Sequence, residues 1–189
     1  MKSAIATLVA ALLLTLSLIP AARAEEESKP DLLLIIAKNE YTHEVRLGFL
    51  PYYVVWGRKG PPLEKAARAT FKQSFDNIGM CESNEQADAI LWLESELSYN
   101  PMMTTYYAKV TAALFRADGK KIATYTATGT SQDFYGSRIV DGIIQTAYTR
   151  ALKQIGKQYA DDATAQAAID RSLAKAPCAL VTLVPKLKE

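Results

Sequence analysis

Histidine is nearly absent: His43 is the one imidazole in 189 residues. Any nucleophile–histidine–acid relay would therefore have to pass through it. It lies in Tyr41-Thr42-His43-Glu44, a polar connection between apolar runs, where a solvated loop side chain is the plain reading. Cys81 and Cys178 are the only cysteines and stand far apart. Ligand spacing of the zinc type is missing, so no metal and no other cofactor is expected. There is no Cys-x-x-Cys pair, which sets aside dithiol redox catalysis. Gly57-Arg58-Lys59-Gly60 stands before a helix start like an anion loop, but Pro61 and Pro62 replace the donors a phosphate needs.

Long apolar runs are also scarce. Residues 1–24 have Lys2, an apolar stretch over 4–19, a break at Pro20 and the small-x-small triplet Ala22-Arg23-Ala24. This is the layout of a secretory signal peptide, with the mature chain expected to begin at Glu25. The alternative is a retained anchor, although the run is short for a bilayer span and ends at proline. No second stretch of spanning length follows. Without Lys2 and Arg23, twenty basic residues stand against twenty acidic ones. That balance offers no basic stripe, and nucleic acid is not expected as a partner. Neither cysteine lies at the end of the signal, so no lipid anchor is expected there and the mature protein should be periplasmic. In an exported chain the two cysteines invite one disulfide, Cys81 to Cys178, which would staple the C-terminal tail to the domain. Two buried thiols are the alternative.

What the chain does have is 49% hydrophobic residues, enough for a core. Segments 88–99, 106–116 and 121–130 alternate as a three-stranded antiparallel meander. Asp118-Gly119 predicts a type I′ turn that pairs Phe115 with Ile122, Leu114 with Ala123, Ala112 with Tyr125 and Val110 with Ala127. A turn pairing Tyr99 with Tyr106 sets Leu97 opposite Ala108, Leu93 opposite Ala112, Leu91 opposite Leu114 and Glu96 opposite Lys109. One face is then apolar and alanine-rich, from Leu91 to Ala127. The other carries Glu94, Glu96, Lys109, Thr111, Thr124, Thr126 and Thr128. Glu94 and Glu96 are read as a solvated pair in which Glu96 meets Lys109, rather than as acid and base.

The asymmetry predicts a two-layer βαβββα sandwich of the α+β class, with two main helices on the alanine-rich face. The helices are expected from Pro61 to Gly79 and over 138–159, with Ser137 as a cap. A third helix should follow Asp161 or Asp162 and reach about Lys175, and 180–184 should form a last strand. Leu32–Ile36 is a short strand by its length, and 45–56 is strand-like. Residues 25–44 thus read as a lead-in with a short strand, and residues 45–189 as a single domain including the C-terminal extension.

Ile90, Trp92, Phe115 and Ile122 gather on the polar face, and large apolar side chains in such a place suggest a partner surface. Alternatively Leu32–Ile36, the 45–56 segment or the last strand folds over them. A second set, Tyr52, Tyr53, Trp56, Met102, Met103, Tyr106 and Tyr107, lies in or beside loops. Within it Tyr52, Tyr53, Trp56 and Tyr106 are candidates to line a ligand site.

A strand over 47–55, a helix ending at Gly79, Ala87-Asp88-Ala89-Ile90-Leu91, a tyrosine-rich hairpin and Asp141-Gly142-Ile143-Ile144-Gln145-Thr146-Ala147 together resemble the small envelope proteins of the YajG type. They are also similar to wider relatives, the curli-secretion lipoprotein and the lipoprotein activators of peptidoglycan synthases. The resemblance spans roughly residues 45–162. It implies a periplasmic module that works by contact with other envelope proteins, with no catalytic residues to carry over. This chain departs from it in lacking the anchor cysteine and in its extension with Cys178.

The expectation is a non-catalytic periplasmic accessory protein of the bacterial cell envelope that contacts another envelope protein or itself. The alternatives are a small-molecule or lipid-binding protein, and an enzyme using His43.

Overall fold

A computed structural model describes residues 28–47, 56–82, 84–132 and 140–181. The signal layout, residues 48–55 with Tyr52 and Tyr53, the Ser137 cap and the end of the expected last strand lie outside them. The element order is β1 (Leu32–Ile36), α1 (Lys38–Tyr41), β2 (Glu44–Arg46), β3 (Trp56–Arg58), α2 (Gly60–Phe71), β4 (Ile78–Met80), β5 (Ala89–Asn100), β6 (Thr105–Arg116), β7 (Lys121–Gln132), α3 (Val140–Asp161), α4 (Ala163–Ala167) and α5 (Cys178–Val181). Five strands form one sheet in the order β4-β1-β5-β6-β7, and β2 and β3 form a separate ribbon. The main helices α2 and α3 cover one face, giving a two-layer α+β sandwich.

The meander forms because three long segments alternate apolar and polar residues, so one register buries an entire face. The β5–β6 register is the expected one, including Tyr99 with Tyr106, Leu91 with Leu114 and Glu96 with Lys109. The β6–β7 register holds at Leu114 with Ala123, Ala112 with Tyr125 and Val110 with Ala127. It fails at Phe115, which faces Lys121 instead of Ile122. A type I′ turn needs positive φ at both central residues, whereas only Gly119 has it here, at 85°. The chain turns instead through a three-residue loop. The N–H of Gly119 donates to the Arg116 carbonyl at 2.9 Å, and the N–H of Arg116 donates to the Lys120 carbonyl at 2.9 Å. Arg116 also binds the Asp118 carboxylate and holds it down to about 2. The extra residue is taken up by a bulge that leaves Ile122 without a partner and restores the register at Ala123.

β1 is the short strand its length predicts, and it lies inside the main sheet. Its Leu32-Leu33-Leu34-Ile35-Ile36 run is buried on both faces and pairs in parallel with β4 on one side and β5 on the other. A continuous apolar strand of this kind needs cover above and below. Leu32, Leu34 and Ile36 enter the main core, and Leu33 and Ile35 enter a second, smaller one.

Several element bounds differ from expectation. α2 ends at Phe71, and Gly79 belongs to β4, because residues 78–80 are held extended by pairing with β1. Phe75 still packs inward, its ring stacked 5.6 Å from Tyr159. The described ends of the 45–56 segment are not one strand: Glu44–Arg46 pairs antiparallel with Trp56–Arg58. Gly57 and Arg58 therefore lie in a strand rather than a loop. The third helix is only α4, capped by Asp162, whose carboxylate accepts from the Ala165 N–H at 2.9 Å. Residues 180 and 181, expected to begin the last strand, belong instead to the helical turn α5.

α3 lies close along β7. It buries Ile144, Ala147, Tyr148, Ala151, Leu152, Ile155 and Tyr159, at the three-and-four spacing of one helix face. Arg150, Gln154 and Gln158, four apart, donate to the outward carbonyls of Thr130, Thr128 and Thr126 at 2.6, 3.3 and 3.4 Å. These side chains occupy the outer edge of β7, which would otherwise offer a row of free carbonyls to another strand.

Candidate functional site

The face away from α2 and α3 is half covered, and the cover is the tail. Lys175 pairs with Asp88 at 2.8 Å, and Asp88 also accepts from the Asp31 N–H at 2.9 Å. Burial alone raises the Asp88 carboxyl, but these partners outweigh it and hold the group below its ordinary value. The N–H of Ala176 donates to the Ala117 carbonyl at 2.7 Å, and that of Cys178 to the Glu85 carbonyl at 3.0 Å. A disulfide between Cys81 and Cys178 closes the attachment.

Beneath this strap lie Leu33, Ile35, Ala87, Ile90, Phe115 and Cys178, with Cys81, Trp92 and Ala113 at the margin. Ile90 is 0% and Phe115 2% exposed. Both were expected to meet a partner, and the tail leaves them no surface for one. Ile122 leaves the set for another reason. The bulge turns it to the helix side, where it packs against the main core. Trp92 remains half-buried at the open side of the second cluster. The signal for this hidden layer was present in β1, since five consecutive apolar residues require cover on the far face as well.

The candidate ligand-lining set is also divided. Tyr106 is buried in the main core, its ring 4.6 Å from that of Tyr99, whereas Trp56 is 56% exposed on β3. Tyr52 and Tyr53 lie outside the described residues. His43 is exposed between α1 and β2, and its carbonyl accepts from the Lys59 N–H at 3.1 Å. Among the described residues no cluster of histidine, cysteine and acidic side chains has the arrangement to hold a metal ion. A groove of about 660 Å³ runs between Pro30, Ser74, Tyr159 and Arg171. Its polar members are engaged locally: Asp170 accepts from Ser172, and Arg171 donates to Ser28.

Two polar pairs are wholly or partly buried. Lys59, 7% exposed, pairs with Glu40, and the Ser95 hydroxyl meets the Tyr148 hydroxyl at 3.1 Å. Burial pushes the Tyr148 phenol from 10.0 up to about 12. That is the opposite of what a phenolate base or nucleophile needs. The folded protein keeps a proton that the unfolded chain releases above pH 10. The contribution is intact below pH 10 and disappears as pH rises toward 12, an effect of about 3 kcal/mol. Tyr148→Phe should therefore flatten the fall of Tm between pH 10 and 12. Tyr125 and Tyr159, also raised by burial, keep part of the slope. An unchanged slope in that variant would contradict the burial of Tyr148.

The exposed large apolar side chains among the described residues are Trp56, Met102 and Met103, the last two 93% and 57% exposed. They share one end of the molecule. The β5–β6 turn over 101–104 adjoins the Thr105–Gln132 pair at the end of β7. α3 runs back along β7 from that end, and Gly57 of β3 sits against Ile144 in its first turns. The turn is held in place. The Asn100 carboxamide oxygen accepts from the N–H groups of Met102 and Met103 at 3.0 and 3.3 Å. The Thr105 hydroxyl donates to the Met103 carbonyl at 2.7 Å, and Thr104 adopts a φ of 47°. Positive φ at a β-branched residue costs on the order of 1 kcal/mol. The chain thus holds two methionines in water on an ordered, strained turn.

Among the described residues no helix is long and apolar enough to cross a membrane. No protein-family profile matches the chain, and no curated protein matches it. Among solved structures it is similar to a variant PelC dodecamer from Paraburkholderia phytofirmans, at 14% identity and a TM-score of 0.43, over 68% of this chain and 87% of that one. It is also similar to a candidate lipoprotein from Caulobacter crescentus CB15, at 13% identity and a TM-score of 0.35, over 60% of this chain and 84% of that one. Likeness at this level assigns no family to the chain.

Proposed function

We propose that the chain is an exported, non-catalytic accessory protein of the bacterial cell envelope that acts by binding another envelope protein. The observation that carries this reading is the exposure of Trp56, Met102 and Met103, large apolar side chains held in water. Tryptophan and methionine are enriched where proteins meet, and a fixed turn loses little freedom on docking. The signal-like start and the Cys81–Cys178 bond fit an oxidising compartment. The resemblance to YajG-type envelope proteins points the same way.

The reading is tested by placing a photo-crosslinking amino acid at Met102 in the full chain, in the native envelope. A discrete adduct of fixed mass with a second protein is expected. Crosslinks confined to the chain itself, or none, would remove this surface from the account.

A further inference from the structure

The two long edges of the main sheet are treated differently. The outer edge of β7 is occupied by Arg150, Gln154 and Gln158 from α3. On the other side β1 pairs with β5 only from Ala89 to Leu93, while β5 runs on to Asn100. Beyond Leu93, no strand among the described residues lies beside it. The Ala89 N–H donates to the Asp31 carbonyl on the β1 side. Since main-chain groups alternate sides along a strand, those of Ser95, Leu97 and Tyr99 face the open edge, while Glu94, Glu96 and Ser98 pair with β6.

A groove of about 400 Å³ opens where β1 stops, bordered by Ala37, Asn39 and Glu40 on one side and by Trp92, Glu94, Glu96, Lys109 and Thr111 on the other. Three carboxylates and one lysine line it. Glu94 is exposed and has no ion-pair partner among the described residues, Glu96 shares one lysine, Lys109, and Glu40 is engaged by Lys59. Trp92, Glu94 and Glu96 stand two apart on one face. The indole N–H of Trp92 is buried and has no hydrogen-bond partner among the described residues.

We propose that this free edge of β5 is a docking site for an extended segment of another protein, which adds to the sheet as a strand and carries lysine or arginine at alternate positions. Main-chain hydrogen bonds to Ser95, Leu97 and Tyr99 supply the pairing. Side chains two apart on the docked strand fall on the face of Trp92, Glu94 and Glu96. A cation there meets carboxylates and an indole ring together. Charge complementarity selects this occupant: a second copy would bring its own Glu94 and Glu96 toward the same acids. The proposal shares with the contact reading the idea of a protein partner, but it uses a different surface and stands or falls separately.

The experiment pans a random twelve-residue peptide library on the purified mature chain, residues 25–189, with its disulfide intact. Peptides with basic residues at alternate positions should be enriched. A synthetic copy of the strongest should bind at least roughly tenfold more weakly to the Glu94→Lys, Glu96→Lys double variant, a loss of about 1.4 kcal/mol. N-methylation of every second peptide amide should abolish binding in one alternation and be tolerated in the other. Amide exchange at Ser95, Leu97 and Tyr99 should slow on binding. No enrichment, indifference to N-methylation, or unchanged exchange at those three amides would overturn the proposal. Concentration-dependent protection of the same amides without peptide would overturn the choice of occupant in favour of a second copy. Because no envelope is present, a null result here leaves the crosslinking at Met102 unaffected, and the converse holds.

Discussion

Gly129→Ala is expected to destabilise the protein by about 3 kcal/mol, the upper range for forcing extra volume into a packed interior. A Cβ at Gly129 would lie 2.0 Å from the Ala147 carbonyl oxygen, 2.5 Å from the Ala151 nitrogen and 3.0 Å from the Arg150 Cβ. Two of those three are helix backbone and cannot rotate away. Relief requires α3 to lift from β7, which would also pull Arg150 and Gln154 off the Thr130 and Thr128 carbonyls. Conformational freedom of glycine is not the cause, since Gly129 has no positive φ. Urea denaturation measures the effect: the midpoint should fall while the slope stays the same. A loss below about 1 kcal/mol would mean that α3 sits further from the sheet than described.

Removing the disulfide should cost still more. The bond joins residues 97 apart, and closing a loop of that length is worth about 4.7 kcal/mol in the chain-entropy model. For a chain of this size that is a fall in Tm of roughly 10 °C. The Cys81→Ser, Cys178→Ser double variant should retain the main core, because α2, α3 and the meander do not depend on the tail. It should lose the strap over Ile90 and Phe115. Trp92, at the margin of that cluster, then reports the loss as a red shift in emission, read in a Trp56→Phe background so that it is the one indole observed. A Tm within about 2 °C of the parent would show that the tail is held by Lys175 and its main-chain bonds alone.

These cases also mark what the sequence could reveal. The β5–β6 register was legible because a single alternation decides the face of every residue, and Glu96 opposite Lys109 agrees with it. The β6–β7 register was legible except at its turn. There, the choice between a two-residue and a three-residue loop rests on the φ of Asp118, which composition does not determine. That one choice moved Ile122 to the other side of the sheet. The parallel pairing of β1 with β4 and β5 was hidden because long-range partners leave no local pattern, although the unbroken run of five apolar residues already required two covered faces.

The candidate surface was harder to read. Ile90 and Phe115 could be read as a partner patch or as residues covered by a folded-over segment, and the sequence does not decide between them; the structure buries them. The disulfide was legible as a staple of the tail, and a covalent anchor at Cys178 places the tail over residues near Cys81. Trp56, Met102 and Met103 belong to the second set that the sequence places in or beside loops, yet their position toward one end follows only from α3 running back along β7. The β5 edge, open among the described residues, has no sequence signature at all, since it exists because β1 is shorter than its neighbour.

The most direct test of the central claim, an exported module with its tail stapled to its sheet, is intact mass spectrometry of the protein from a periplasmic fraction alkylated before and after reduction. The account predicts a chain beginning at Glu25 that takes up no alkylating agent until reductant is added and then takes up two equivalents. A chain still carrying residues 1–24, or one alkylated at Cys81 and Cys178 without reduction, would contradict it.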